Sequence, residues 1–399
     1  RKINSPSAYT YMEQRFGAWA RIYVSLCYLL TQLMRIGTIL YLLALTLNAI
    51  VGWDMITIII FTGLVVSIYS MLGGITAVLW TDAIQGIILI VGALVCVGFI
   101  LFNMPEGPGQ VFDIAAQNDK FGLGSFSLSL SEPTFWVVLV YGVFINLQNY
   151  GIDQNYVQRY MASKSDKEAQ KSALIGGLIY LPISAIFLFI GTSLFAYYHS
   201  AATLPVELQD INKSDSVFPY FIVNALPAGI TGLMIASIFA AGMSTISTSF
   251  NSSATVFLTD YYNKYFKKTA SDKEGMRVLY ISSAIISVIG IVIAIAMINV
   301  KSALDAWWKL SSIFCGGMLG LLLLGLFSKT KNIKGALFGV LVGILVIIWM
   351  SLSGTIFGED SVGASFHTYL TIVFGTTAIF LVGFLISIFN KNTDEIYKH

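Results

Sequence analysis

Long apolar stretches alternate with short polar segments along this chain, and the stretches predict its architecture. A helix rises about 1.5 Å per residue, so roughly 20 apolar residues cross a bilayer core of about 30 Å. Ten stretches fit that length, and we predict a transmembrane helix in each: 20–50, 55–72, 81–103, 134–157, 172–198, 228–257, 277–299, 306–327, 335–353 and 367–389. The pattern predicts an all-α polytopic membrane protein with ten transmembrane helices.

The composition supports the same class. Hydrophobic residues make up 56% of the chain, charged residues 11%, and the mean hydropathy is +0.77. About a quarter of the residues of a soluble domain are charged. The connections are too short for a separate soluble domain, so we expect a single transmembrane domain over 1–399. The net charge of +2 gives no reason to expect a nucleic acid partner.

Lysine and arginine are distributed unequally between the connections. Eighteen of these residues lie at the two ends of the chain and in the connections on the same side of the membrane as the ends. The connections on the opposite side hold only Lys120, Lys213 and Lys301. Positive residues are retained on the cytoplasmic side of a membrane. We therefore predict that both termini of this chain are cytoplasmic.

The sixth predicted span has an unusual density of hydroxyl groups. Hydrocarbon offers these groups no water, so they must face other helices, a cavity or an ion. They are Ser244, Thr245, Ser247, Thr248, Ser249, Ser252 and Ser253, which we call the hydroxyl cluster. Such groups often bond to the carbonyl four residues earlier or join helices. The alternative, which this density favours, is a site for a small hard cation.

Two charged side chains lie where lipid would reject them. Arg35 is near mid-span, where an arginine costs at least about 2.5 kcal/mol. It could pair with Asp82 or Asp153, or bind the carboxylate of an anionic substrate. Asp82, at the inner start of the third span, could be solvated or could add negative charge to the hydroxyl cluster. Asp153 and Arg159 are expected to form a cytoplasmic cap or a pair that stabilises a gate.

Three motifs in this order resemble the sodium/solute symporter family, closest to its bacterial sodium/sialic acid members. They are GLVVSIYSMLGGITAVLWTDAIQGIILI, DQNYVQRYMASKS and ASIFAAGMSTISTSFNSSATVFLTDYY. The resemblance implies the inverted-repeat fold of the leucine transporter. Residues 1–103 would hold the last three helices of the first repeat, 134–327 the second repeat, and 335–389 two additional helices. The helices that precede these in the family, including a broken helix that completes the main sodium site, are missing from this sequence.

The resemblance also implies where ions and substrate bind. In the sialic acid branch, an arginine at the position of Arg35 meets the substrate carboxylate. The main sodium site would comprise Ala241, Ser244 and Thr245. The second site, in members that couple two ions, would comprise Asp82, Ser244, Ser247 and Thr248.

The sequence thus predicts a symporter driven by one or two sodium ions, monomeric and located in the bacterial cytoplasmic membrane. Its expected substrate is a carboxylated sugar, foremost N-acetylneuraminate, imported by alternating access. Two alternatives stay open. One is a sodium symporter for a neutral sugar or amino acid, such as galactose or proline, and the other is an ion channel. No nucleophile and base pair appears in any span, so we do not expect an enzyme.

Overall fold

The computed structural model describes residues 5–268, 271–300, 302–328, 331–357 and 365–394. Within these ranges the regular secondary structure is entirely helical, which confirms the predicted all-α class. The helices, in chain order from α1 to α13, are Thr10–Phe16, Ala18–Val51, Met55–Phe102, Gly109–Gln117, Phe135–Ile152, Gln154–Ala162, Asp166–Ser200, Val217–Asn224, Ala228–Val256, Asp272–Ala296, Ala303–Phe327, Ile333–Phe357 and Leu370–Asp394.

Nine segments in the described part of the chain are long and apolar enough to cross a bilayer. They are Ala18–Ala49, Leu79–Phe102, Phe135–Ile152, Asp166–Ser200, Ala228–Phe266, Asp272–Asn299, Ala306–Phe327, Ile333–Ser353 and Leu370–Phe389. The remaining predicted span, 55–72, corresponds to the shorter apolar helix Met55–Met71. The division of these helices between two repeats and two additional helices stays a prediction.

Helix α3 contains both the second and the third predicted span within 48 residues. The Ser70 hydroxyl donates to the Ser247 carbonyl at 3.4 Å, while the Thr248 hydroxyl donates to Asp82 at 3.2 Å. Ser70 and Asp82 would lie about 18 Å apart in a straight helix, yet they meet adjacent residues of α9. Residues of both predicted spans therefore pack against α9.

The fourth predicted span is interrupted rather than continuous. Helix α5 ends at Ile152 and α6 begins at Gln154, with Asp153 in an extended conformation between them (φ −68°, ψ 125°). The Asp153 carboxylate accepts a hydrogen bond from the Asn155 amide at 2.8 Å, which caps α6. Asp153 is only 1% exposed. The expectation of a cytoplasmic cap was therefore wrong, because this break in the helix lies in the protein interior.

Close packing holds α2 against α9. A Cβ built on Gly242 of α9 would lie 2.7 Å from the Leu43 methyl groups of α2, so a larger residue here would force the Leu43 side chain to move. Beyond α9 the chain continues as a π-helix, Phe257–Phe266. There the buried Asp260 carboxylate accepts a hydrogen bond from Arg21 Nε of α2 at 2.9 Å. The two helices are thus joined near mid-span and again at the end that carries the positive residues.

Candidate functional site

A cavity of about 250 Å³ lies between helices α2, α6 and α9. It is lined by Arg35, Asn155, Tyr156, Arg159, Ser244, Thr245 and Thr248. Four of these residues were expected at the site from sequence, and they come from two helices about 200 positions apart in the chain. The fold therefore places the deep arginine and part of the hydroxyl cluster around one space.

Arg35 faces this cavity with its hydrogen-bond donors uncommitted. Its side chain is 19% exposed, and its Nη2 atom lies 4.0 Å from Asp153 Oδ2. Its guanidinium carbon is 5.1 Å from the centroid of the Trp307 ring, a cation–π contact. Within the described residues the guanidinium donates no hydrogen bond, although arginine offers five N–H donors. The pair with Asp153 that the sequence left open is thus a long charge contact.

Asp82 pairs with Arg159 and not with Arg35. Arg159 Nη2 donates to Asp82 Oδ2 at 2.7 Å and to Thr248 Oγ1 at 3.3 Å. The Asp82 side chain is 11% exposed, so this carboxylate is neither freely solvated nor deeply buried. Its second oxygen, Oδ1, is buried and has no hydrogen-bond partner in the described part of the structure. A carboxylate oxygen left unsatisfied beside a hydroxyl is a suitable ligand for a hard cation.

Some hydroxyls of the cluster bond to their own helix, as the alternative interpretation of this pattern predicts. Thr245 Oγ1 donates to the Ala241 carbonyl at 3.0 Å, and Ser247 Oγ donates to the Ser244 carbonyl at 3.1 Å. Such a bond uses only the hydroxyl proton, so oxygen lone pairs stay available for a cation. The Ser244 hydroxyl makes no hydrogen bond within the described residues. These oxygens therefore fit a sodium site that is completed by other groups.

The expected ion-site residues are not all brought to the same space. Ala241 and Thr245 line a neighbouring cavity of about 360 Å³, so Thr245 lies between the two cavities. Asp82 and Thr248 meet directly through their side chains at 3.2 Å. Ser247 is fully buried and does not line either cavity.

Sequence reasoning missed the contribution of α6 to this cavity. The Tyr28 hydroxyl of α2 lies 3.1 Å from Asn155 Oδ1 and 2.7 Å from Ser252 Oγ of α9, within hydrogen-bond distance of both. Helix α6 is thus joined to both other walls. The signal is the polar run Asp-Gln-Asn directly after the apolar residues of α5, which the sequence alone allows as a cytoplasmic cap or as part of a pair that stabilises a gate.

An interrupted helix beside a polar cavity, within a bundle of apolar helices, is typical of membrane transporters. The model of the sodium:solute symporter family matches residues 2–343. The chain belongs to this family, whose members are transporters.

Two bacterial relatives and one solved structure are similar over most of the chain. The sodium/sialic acid symporter NanT of Aliivibrio fischeri is 32% identical over 402 residues, covering 99% of this chain and 77% of that protein. The sodium/sialic acid symporter SiaT of Proteus mirabilis is 34% identical over 355 residues, covering 87% and 70%. A structure of a Na⁺-coupled sialic acid symporter in a substrate-bound outward-open state has a TM-score of 0.87 and 30% identity, covering 98% and 78%.

Proposed function

We propose that this protein is a monomeric symporter that couples sodium entry to the import of N-acetylneuraminate across the bacterial cytoplasmic membrane. The observation that carries the substrate class is Arg35, whose unused hydrogen-bond donors line a polar cavity. A planar guanidinium matches a carboxylate in a bidentate geometry. The similarity to sodium/sialic acid symporters supports this substrate, and the distribution of lysine and arginine supports cytoplasmic termini.

Sodium is the coupled ion, and we assign two sites to it. One ion would bind the main site at Ala241, Ser244 and Thr245. Another would bind the second site at Asp82, Ser244, Ser247 and Thr248. The unsatisfied Asp82 Oδ1 supports the second assignment. Because Arg159 contacts both Asp82 and Thr248, its guanidinium would have to withdraw as the second ion arrives.

Coupling follows from the shared walls of the cavity. Sodium on α9 favours one arrangement of the helices only if its affinity differs between the outward-open and inward-open states. The substrate carboxylate then binds Arg35 near mid-membrane. Relative movement of the two repeats then exposes the sodium ions and the substrate to the cytoplasm.

A specific contact favours a second candidate, a sodium symporter for a neutral solute. The Arg35 guanidinium lies 4.0 Å from Asp153, and this pair could serve structure alone. In that case the transported solute would need no carboxylate. The two candidates share the sodium sites and differ only in what Arg35 binds.

Uptake by the full-length protein in liposomes tests the proposal. Labelled N-acetylneuraminate should accumulate above its external concentration under an inward sodium gradient, and not when choline replaces sodium. Galactose and proline serve as neutral and zwitterionic controls. Equilibration without accumulation would indicate a channel. Accumulation of a control solute in place of the sialic acid would favour the second candidate.

A further inference from the structure

The carboxylate of Asp153 has only part of its bonding capacity in use. Its Oδ1 atom accepts a hydrogen bond from the Asn155 backbone amide at 2.8 Å and so caps α6. Its Oδ2 atom is buried and lacks a hydrogen-bond partner among the described residues. That same oxygen lies 4.0 Å from Arg35 Nη2. An almost fully buried carboxylate thus faces the guanidinium assigned to the substrate without forming a hydrogen bond to it.

This geometry differs from that of a committed ion pair. Arginine and carboxylate groups that bind each other strongly do so at about 2.7–2.9 Å, often through two parallel hydrogen bonds. At 4.0 Å, Asp153 compensates the charge of Arg35 while the N–H donors stay open. A carboxylate arriving through the cavity can therefore take the hydrogen bonds that Asp153 leaves unmade.

We propose that Asp153 is an internal counter-ion of Arg35 that competes with the substrate carboxylate, and so sets the affinity and the charge selectivity of the site. This inference rests on the proposed function. In the empty carrier Asp153 compensates the charge of an arginine that is only 19% exposed and would otherwise be unpaired. When substrate binds, two carboxylates face one guanidinium, and their repulsion limits how tightly the anion is held.

The position of Asp153 connects this exchange to the helix break. Asp153 stands at the start of α6, and Arg159 further along the same helix binds Asp82. One end of α6 thus faces the substrate anchor, and its other end faces a proposed sodium ligand. A change in the partner of Asp153 acts directly on the element that contacts both cargo sites.

Substitution by asparagine isolates the charge of Asp153. Asp153→Asn keeps a side-chain oxygen for the α6 cap and removes the competing negative charge. Binding of N-acetylneuraminate and of its neutral methyl ester is measured calorimetrically on the full-length protein. The Kd of the acid should fall about fivefold or more, a typical size for coupling between two sites. The Kd of the ester should change less than about twofold, since the ester carries no charge for Asp153 to repel.

A matched control removes another buried carboxylate. Asp260→Asn removes a carboxylate that is also 1% exposed but pairs with Arg21 and does not line the cavity. It should leave both Kd values unchanged. If Asp153→Asn does not yield folded protein, Asp153→Ser, which also keeps a capping oxygen, takes its place.

Each other outcome overturns the inference. Weaker binding of the acid by Asp153→Asn would mean that Asp153 orients Arg35 for the substrate and does not compete with it. Equal shifts for the acid and the ester would mean that Asp153 only supports the fold. A wild-type protein that binds neither compound would contradict the proposed function itself, which separates that failure from the other two.

Discussion

Replacing Arg35 affects both binding and stability, and a second substitution separates the two effects. In Arg35→Ala, Asp153, which is 1% exposed in the wild-type protein, loses the only positive charge within 4.0 Å that the described structure gives it. Two unit charges 4 Å apart interact by about 4 kcal/mol at an effective dielectric constant of 20. Removing one partner of a buried pair typically costs about 3–5 kcal/mol. Because the Arg35 side chain is 19% exposed, we expect the lower end, about 3 kcal/mol.

The double variant Arg35→Ala/Asp153→Asn removes both charges together. Its free energy of unfolding should return to within about 1 kcal/mol of wild type, since no buried charge is left uncompensated. It should still fail to bind N-acetylneuraminate, because the substrate carboxylate has lost its anchor. Unfolding in detergent and calorimetric binding measure the two quantities on the same samples.

Two results would refute this reasoning. Wild-type stability of the single variant would mean that the contact at 4.0 Å contributes nothing to folding. Recovery of substrate binding in the double variant would mean that Arg35 does not bind the substrate carboxylate. The loss of binding in Arg35→Ala would then result from its lower stability.

Three further predictions concern the ion sites and the packing. Ser244→Ala should raise the sodium concentration for half-maximal uptake about tenfold, because the ion loses an oxygen ligand. Ser249→Ala should leave that concentration unchanged, because the Ser249 hydroxyl is buried and lines neither cavity. Equal effects of the two substitutions would contradict the assignment. Asp82→Asn should lower the Hill coefficient for sodium in flux assays from about two to about one, and an unchanged coefficient would exclude Asp82 as a ligand. Gly339→Ala should lower the free energy of unfolding by about 1–3 kcal/mol, because the new Cβ would lie 2.6 Å from the Ile379 carbonyl oxygen. Gly142→Ala should have the same free energy of unfolding as the wild type, because a Cβ at Gly142 would have nothing within 4 Å.

The helices could be predicted from the sequence because lipid imposes one requirement on every span. Backbone groups must be satisfied within the segment, so apolar length alone locates the helices. Residues 55–72 and 81–103 were predicted in this way as two spans, whereas the structure describes one helix, α3, over both. The same requirement marked Arg35 and the hydroxyl cluster as exceptions that need polar surroundings.

The partners of the charged residues could not be predicted in the same way. Asp82 and Arg159 lie 77 positions apart, and their pairing depends on how α3 and α6 pack. The burial of Asp153 could not be predicted from the sequence pattern either, because a polar run after an apolar helix is equally typical of a surface cap and of an interior helix break. The buried position of that run is decided by the helices around it, which a single-sequence pattern does not specify.

The double attachment between α2 and α9 restricts which part of the molecule can act as the gate. Gly242 lets the two helices touch near mid-span, and the buried bond between Arg21 and Asp260 fastens them at one end. We therefore expect Arg35 and the hydroxyl cluster, the proposed substrate and ion sites, to keep a constant spacing through the transport cycle. Among the cavity walls described above, α6 is attached to α2 and α9 through polar side chains, so we expect α6 to be the wall that moves, with the extended residue Asp153 as its hinge.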